Sequence, residues 1–219
     1  THGYDGVRTD RIDDELGGEP ALRRLIASLR AHAMGLVLDI VPNHMSASLE
    51  NPWWTDLLEH GRRSAFAATF DVDWEAGGGR LLLPWLEGPL HQRLAAGDAA
   101  LRYDASSRRI QVHVGNARVP LGAATYAQVL DGSVAGSSGS DALAPFAACF
   151  AAAASALEFD SARDRLDAAI ACTPPLLPAL EAALEAYLPT DDDRRARLQA
   201  LLARQPWQLA DWHAAPRRI

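Results

Sequence analysis

A polar cluster directly follows the most apolar run of the sequence. Asp39 lies within the run at 36–41, and Asn43 and His44 follow it just after Pro42. Buried parallel strands deliver side chains to ligand pockets at their carboxyl ends, so this spacing predicts a binding site. A carboxylate inside an apolar strand is costly unless it is paired or hydrogen-bonded. The residues alone leave open a second interpretation, in which Asp39 only holds a neighbouring loop and His44 is an ordinary loop histidine.

A second cluster opens the chain, at His2, Gly3, Tyr4 and Asp5. An aromatic ring can stack on the apolar face of a sugar, while charged and amide groups hydrogen-bond its hydroxyls. Together with the first cluster, these residue types predict a sugar pocket. Tyr4 is the candidate stacking residue, and His2 and Asp5 are candidate lining residues.

Other aromatic and titratable residues are weaker candidates. Trp53 and Trp54 are possible sugar platforms, but adjacent helical residues point in different directions, so at least one is expected in the core. Trp212 and Tyr103 are interpreted as packing residues. No histidine, cysteine or carboxylate group has metal-ligand spacing, so neither a metal site nor a cofactor is predicted.

The composition argues against several kinds of partner. The chain has 219 residues, 48% of them hydrophobic, and a net charge of -7 with scattered arginines, which disfavours nucleic acid. No apolar run approaches the ~18 residues of a membrane span, and no signal peptide is evident. Cys149 and Cys172 are expected to be buried free thiols, which favours the cytoplasm. The first residue, Thr1, falls in a loop-like segment, which suggests a piece of a longer chain.

The residues before the apolar run predict a helix. Apolar residues recur at helical spacing from Leu22 to Ala33, Pro20 suits the first helical position, and Gly35 suits the stop. Helix, short glycine turn and a buried strand at 36–41 make one repeat of an α/β architecture. One such unit cannot bury itself, so further strands are expected outside this chain.

The rest of the chain is expected to be mainly helical, apart from one hairpin. Residues 101–114 alternate apolar and polar types around a turn at 104–108, which predicts two strands. Residues 133–140 are rich in Gly and Ser and predict a flexible connector. Three helices should follow: one over 142–159, one after Pro175 with Leu177, Leu180, Leu184 and Leu188 on one face, and one after Thr190.

The two polar clusters resemble glycoside hydrolase family 13, the α-amylase superfamily. Its pattern Asp-x-x-x-Asn-His is matched by Asp39, Asn43 and His44, and its Gly-Tyr pair by Gly3 and Tyr4. The resemblance implies a (β/α)8 barrel. It also implies that Tyr4 stacks on the glucose next to the scissile bond, that His44 hydrogen-bonds that sugar, and that Asp39 and Asn43 hold the loops.

Longer stretches are similar to the maltooligosyltrehalose synthase family within that superfamily. The block at 51–74, with its sequence NPWWTDLLEHG and FDVDW, separates this family from ordinary amylases. His60 departs from the Asn expected before Gly61. The resemblance predicts an α/β chain with a partial (β/α)8 barrel segment, one βα-type unit, at 1–52. A mainly helical insertion with a small hairpin would occupy 53–205, and 206–219 would return toward the barrel.

The catalytic carboxylates of the superfamily are not recognised in this sequence. Retaining enzymes use two carboxylates about 5 Å apart, a nucleophile and an acid/base. In the superfamily the nucleophile follows an arginine, as Arg-x-Asp, at a later strand end. Arg163, Asp164, Arg165 and Asp167 instead lie in an expected surface helix, where a solvated charge run is the better interpretation. The chain is therefore predicted to hold no catalytic residue and to be inactive alone.

The resemblance implies an isomerase of trehalose biosynthesis, acting on maltooligosaccharides together with the rest of its parent barrel. It would convert the reducing-end α-1,4 bond into an α,α-1,1 bond. Three alternatives stay open: a general amylase-type hydrolase, a non-catalytic chain that binds sugar weakly, and a helical interaction module at 142–204 unrelated to sugars.

Overall fold

The structure is a computed structural model that describes residues 6–8, 10–41, 43–75, 77–131 and 140–214. The chain divides into two compact units, Thr1–Thr55 and Asp56–Ile219. The described residues form both helices and strands, so the predicted α/β class is confirmed at this coarse level. The predicted connector at 133–140 lies, except for residue 140, outside the described residues.

The first unit contains one long helix. A 3-10 turn at Asp14–Leu16 leads into α1, Gly18–Ala31, so the predicted helix is confirmed, although it begins before Pro20 and ends before Gly35. The second long element, α2 at Pro52–His60, starts in this unit and continues into the next.

The segment predicted as a buried strand is not a strand in the structure. Residues 34–41 have no regular secondary structure and are exposed; Val37 is 96% exposed. A strand is stabilised by hydrogen bonds to a neighbouring strand, and no strand of the described residues pairs with this segment. The predicted strand is therefore wrong here, and the partial barrel stays a proposal.

The second unit combines short strands with a helical cluster. The elements in chain order are a 3-10 turn at Gly61–Arg63, β1 Leu81–Leu86, α3 Leu90–Ala95, β2 Ala99–Asp104, β3 Arg109–Val114, β4 Ala117–Pro120, a 3-10 turn at Ala123–Thr125, α4 Tyr126–Leu130, α5 Ser140–Ala152, α6 Ala156–Cys172, α7 Leu176–Glu185, α8 Asp192–Ala203 and β5 Trp207–Asp211.

The predicted hairpin is confirmed as β2 and β3, and β4 extends it. The three strands form an antiparallel sheet in which Leu101 pairs with Val112, and Val112 with Val119. Ile110, Val112 and Val114 are buried on one face, as their alternation predicted. Gln111, expected on the exposed face, is also buried because its amide donates to Asp104 Oδ2 at 3.0 Å.

β1 and β5 form a parallel pair that sequence patterns did not reveal. Leu81 pairs with Trp207, and Leu86 with Asp211, across a crossover of more than a hundred residues. Gln205 fixes the start of β5, because its side chain accepts from Gly122 N–H at 2.7 Å and donates to Thr125 Oγ1 at 3.2 Å. Such long-range pairing depends on residues far apart in the chain, which local periodicity cannot show.

The helices of the last third differ in detail from their prediction. Two helices, α5 and α6, replace the single helix expected over 142–159. The helical conformation is interrupted at 153–155, and Ser155 caps the start of α6 in a capping box with Glu158. In α7 the buried face includes Leu180 and Leu184, whereas Leu177 is exposed. Helix α8 is capped by Asp191 rather than by Thr190.

A buried ionic cluster joins α2, β3 and α6. Glu59, which is 3% exposed, accepts from Arg109 Nε at 3.0 Å and from Arg163 at 3.1 Å. Asp160 also accepts from Arg163, at 2.5 Å. Burial alone would lower the pKa of Arg163, but the Glu59 and Asp160 carboxylates outweigh it and raise the pKa. The prediction that Arg163 is a solvated surface residue is therefore wrong.

Removing the Glu59 charge is expected to destabilise the chain strongly. Glu59→Gln keeps the side-chain volume but leaves Arg163 without its buried carboxylate, so the free energy of unfolding should fall by about 3–5 kcal/mol. The matched control is Asp164→Asn, which removes an exposed carboxylate 2.8 Å from Arg108 and should cost at most about 1 kcal/mol. Urea denaturation measures both variants; equal losses would contradict the special role of the cluster.

Candidate functional site

The predicted sugar-binding residues lie in two segments of the first unit. His2, Tyr4 and Asp5 are outside the described residues, and Gly6, which follows them, is described. Asn43 and His44 lie in an exposed turn and loop. Asp39 is also exposed, and the residues around it have no regular secondary structure, so it does not lie inside a buried strand as expected.

A backbone hydrogen bond connects the ends of the two segments. Ser46 N–H donates to the carbonyl oxygen of Gly6 at 2.9 Å. Gly6 directly follows the cluster that ends at Asp5, and Ser46 lies two residues after His44. The two chain segments are therefore adjacent at the point where each predicted cluster ends.

Asn51 anchors the same loop to helix α2. Its Nδ2 donates to the carbonyl oxygen of Ser46 at 2.9 Å, and its Oδ1 accepts from the backbone N–H groups of Trp53 and Trp54 at 3.1 and 3.3 Å. Asn51 is 0% exposed, so each of these bonds satisfies a group shielded from water. Ser46 is thus held through its N–H by Gly6 and through its carbonyl by Asn51.

Sequence reasoning missed Asn51, although a local signal was present. An asparagine followed by Pro52 is typical of a helix start, because asparagine caps the free N–H groups and proline suits the first helical position. Thr55 adds to the anchor by donating from Oγ1 to the carbonyl oxygen of Leu49 at 3.0 Å. The loop after His44 is therefore held by side chains of the helix that follows it.

The two candidate platform residues, Trp53 and Trp54, are both half-buried in α2. This burial fits neither a purely core role nor a fully open stacking face, so their role as sugar platforms stays a prediction. No group of three or more His, Cys, Asp or Glu in the described residues has the geometry of a metal site.

A cleft of the second unit lies at the junction of α5 and α6. Its volume is about 310 Å3, and its walls are mostly alanine with Phe150 and Phe159, joined by His60 and Arg63. The His60 ring meets the Phe159 ring edge-on at 5.3 Å, which accounts for a histidine at the position where the family resemblance predicted asparagine. None of the described residues that line it carries a carboxylate, so two-carboxylate chemistry has no basis in this cleft.

The carboxylates of the Arg-x-Asp-like segment on α6 have structural partners. Asp167 accepts a hydrogen bond from the hydroxyl of Tyr103 at 2.6 Å, and Asp164 pairs with Arg108. Burial, and next the bond to Asp167, raise the pKa of Tyr103, so this hydroxyl stays protonated. These contacts tie α6 to the β2–β3 hairpin. The absence of a catalytic pair from the whole chain stays a prediction.

Two further features bear on the predicted location of the chain. Cys149 and Cys172 are free thiols, but Cys149 is half-buried and Cys172 exposed, so the expected burial is wrong. Both lie on α5 and α6 faces that are not fully covered by packing. Within the described ranges, no helix has the length and apolar character needed to cross a membrane.

Asn51 gives a direct test of the anchored loop. Asn51→Ala removes the helix cap, which costs about 1 kcal/mol, and leaves the Ser46 carbonyl without its partner, which costs about 1–3 kcal/mol more. Asn51→Asp keeps the cap but loses the donor to Ser46. Both variants should lose protection of the Ser46 amide in hydrogen exchange, and only Asn51→Ala should also lose helix capping. Unchanged Ser46 protection in both would contradict the anchor.

Sequence comparisons agree with the predicted resemblance. Residues 1–74 match the family model for the alpha amylase catalytic domain. Two proteins of Mycobacterium tuberculosis strains, each described as a putative maltooligosyl trehalose synthase, are 49% identical to this chain over 88 residues. That stretch is 39% of this chain and 12% of theirs. A palatinase of Erwinia rhapontici is 31% identical over 121 residues, or 54% of this chain and 20% of that protein.

Solved structures give the same result for the fold. The maltooligosyltrehalose synthase from Arthrobacter ramosus is 26% identical with a TM-score of 0.52, covering 98% of this chain and 18% of that chain. A glycosyltrehalose synthase is 22% identical with a TM-score of 0.50, covering 97% of this chain and 21% of that one, and so supports the fold alone. The chain therefore spans less than a quarter of these relatives. Its similarity to maltooligosyltrehalose synthases, with an alpha-amylase catalytic-domain match over residues 1–74, is confirmed.

Proposed function

We propose that this chain forms part of the sugar-binding pocket of an intramolecular transglucosylase. The enzyme would convert the reducing-end α-1,4 bond of a maltooligosaccharide into an α,α-1,1 bond, leaving a terminal trehalose unit. The observation that carries the proposal is the 2.9 Å hydrogen bond from Ser46 N–H to Gly6, since it joins the segments that follow the two candidate sugar-binding clusters. The similarity to the mycobacterial proteins, named for this activity, supports the choice of reaction.

In this proposal the two clusters share one glucose unit. Tyr4 stacks on the apolar face of the sugar next to the scissile bond, and His44 hydrogen-bonds its hydroxyls. His2 and Asp5 line the same pocket, while Asn43 and Asp39 hold the surrounding loops. The exposure of the turn that carries Asn43 and His44 supports this role, because a ligand can reach both side chains.

In this proposal the reaction proceeds by double displacement, with both carboxylates coming from the rest of the enzyme. A nucleophilic carboxylate attacks C1 of the penultimate glucose, the C1–O4 bond breaks, and a general acid protonates O4 of the released glucose. That glucose turns in the pocket, and its anomeric hydroxyl attacks C1 while the same acid group, now a base, takes the proton. The carboxylate is released and no water is consumed. Holding the glucose while excluding water distinguishes the isomerase from a hydrolase.

The exposed apolar segment supports a larger barrel. Five apolar side chains between residues 36 and 41 are exposed, and burial of each would contribute about 1.5–3 kcal/mol. We propose that this segment becomes a buried strand when neighbouring barrel strands pair with it. The proposed arrangement keeps 1–52 as the barrel segment, 53–205 as a mainly helical insertion, and 206–219 as the return toward the barrel.

The proposed location of the enzyme is the cytoplasm. Two free thiols in a chain without a disulfide among its described residues are typical of a reducing compartment. A general amylase-type hydrolase is the second candidate, favoured by the alpha-amylase match at 1–74.

Product analysis on maltohexaose separates the two candidates. The enzyme that carries this chain is expected to give an oligosaccharide of unchanged length with an α,α-1,1 anomeric signal by proton NMR. Free glucose and maltose as main products would defeat the isomerase. The 219-residue chain alone is expected to give no turnover, and any turnover would show that it holds a catalytic pair.

His44 is the residue whose loss tests the pocket. His44→Ala should lower kcat/KM about 10- to 100-fold, because one hydrogen bond to the reacting glucose disappears. Since His44 is exposed, the variant should unfold at the same urea concentration as the unmodified protein. The matched control is His91→Ala, another exposed histidine, which should leave kcat/KM unchanged. Equal effects of the two substitutions would count against a sugar-binding role for His44.

Val37 tests the proposed strand. In the isolated chain, Val37→Ser should change the free energy of unfolding by less than about 0.5 kcal/mol, since the side chain is exposed. In the enzyme that supplies neighbouring strands, the same substitution should cost about 1–3 kcal/mol because it places a hydroxyl in a core. The control is Leu83→Ser in the buried part of β1, which should destabilise both forms. A neutral Val37→Ser in the complete enzyme would exclude the strand.

A further inference from the structure

An exposed tryptophan lies at the carboxyl end of the parallel pair β1 and β5. Trp212 directly follows β5, and its backbone N–H donates to the carbonyl oxygen of Leu86, the last residue of β1, at 3.0 Å. Both strands run in the same direction, so both end at this edge. Ligands of parallel sheets bind at the carboxyl ends of the strands, which makes this edge a candidate site.

The exposure of Trp212 corrects the expectation that it is a packing residue. Trp212 is 52% exposed, whereas Trp207 at the start of the same strand is 1% exposed. The difference has a structural cause, because β5 enters the core at Trp207 and leaves it after Asp211. An indole of which about half remains in water offers on the order of 100 Å2 of apolar surface to a ligand.

The indole is held in place by a stacked histidine. The rings of Trp212 and His213 lie 3.8 Å apart at an angle of 28°. Asp211 Oδ1 accepts from His213 N–H at 3.0 Å and lies 3.1 Å from His213 Nδ1. The pKa of Asp211 is lowered from its ordinary value. The hydrogen bond from the His213 backbone is the largest cause, and the hydrogen bond from the His213 side chain adds to it. A platform fixed before binding loses less entropy when a ligand arrives.

A polar cleft opens at the same strand end. It has a volume of about 230 Å3 and is lined by Trp85, Leu86, Glu87, Asp98 and Asn116, among others. Leu86 is common to both features, since it lines the cleft and accepts the bond from the residue that forms the platform. The cleft is smaller than the roughly 300–1,000 Å3 of sites for drug-sized ligands, which fits a single ring. Arg93, which also lines the cleft, donates to Asp98 Oδ2 at 3.1 Å, while the carboxylate of Glu87 and the amide of Asn116 are groups that suit sugar hydroxyls.

We propose that Trp212, stacked on His213, is a carbohydrate platform that binds one pyranose ring of an α-glucan beside the Glu87–Asn116 cleft. Trp212 lies in the unit Asp56–Ile219, whereas the candidate pocket residue His44 lies in Thr1–Thr55. The choice of an α-glucan rests on the proposed function, and the platform rests on the exposed ring and the polar cleft.

Titration of the chain with maltohexaose, followed by the indole N–H signals in proton–nitrogen NMR, tests the platform. The Trp212 signal, assigned by its loss in Trp212→Phe, should shift saturably. Trp212→Ala should weaken binding at least about tenfold, and Trp212→Phe, which keeps a ring, by no more than about threefold. The control Leu157→Ala, at another exposed apolar residue, should bind as the unmodified chain does.

Two results overturn the platform. One is a Trp212 signal that stays unshifted with both maltohexaose and cellohexaose. This result is measured on the unmodified chain, so it does not depend on whether Trp212→Ala folds. The other is a folded Trp212→Ala that binds as tightly as the unmodified chain.

The same titration distinguishes a failure of the platform from a failure of the proposed function. Binding of cellohexaose but not maltohexaose, lost in Trp212→Ala, supports the platform and contradicts the proposed substrate. Loss of binding in His44→Ala with an unshifted Trp212 signal supports the pocket and overturns the platform. Weaker binding in both variants supports both sites.

Discussion

The candidate site depends on Ser46, whose backbone is bonded on both sides. Its N–H donates to Gly6, and its carbonyl accepts from the buried side chain of Asn51. The first bond joins Ser46 to Gly6, and the second fixes Ser46 to Asn51 at the start of α2. Because Ser46 makes both hydrogen bonds with its backbone groups, the two bonds do not require a particular side chain at position 46.

The separation in sequence between contacting residues explains which elements could be predicted. The β2–β3 hairpin was predictable because its pairing residues, such as Leu101 and Val112, are close in sequence and alternate in polarity. Helix α1 was predictable from its apolar spacing. The β1–β5 pair was not, since its strands are more than a hundred residues apart and neither has a periodic pattern long enough to identify a partner. The segment at 36–41 has the composition of a buried strand, but composition does not supply the hydrogen-bond partner that a strand needs.

Arg163 and Trp212 show a similar limit of prediction from local sequence. The charged neighbours Asp164 and Arg165 predict that Arg163 lies on the surface, yet Arg163 is only 8% exposed. Its burial is possible because the carboxylate of Glu59, far away in the sequence, compensates its charge. Trp212 reads as a packing residue, yet it is exposed because β5 ends one residue before it. For Arg163 the decisive contact is tertiary, and for Trp212 the decisive feature is the end of β5, a strand that depends on its tertiary pairing with β1. The sugar-binding roles of His44 and Tyr4 come from local motifs and residue chemistry and stay predictions, whereas the role of Asn51 was missed because it acts by hydrogen-bonding the loop at Ser46.

The central claim is that Tyr4 and His44 contact the same glucose ring. Intermolecular NOEs between bound maltohexaose and this chain, with the two side chains assigned, measure that directly. The account predicts NOEs from the protons of one pyranose ring to both the phenol ring of Tyr4 and the imidazole of His44. NOEs from these two side chains to different sugar rings, or to none while the sugar is bound elsewhere, would contradict it.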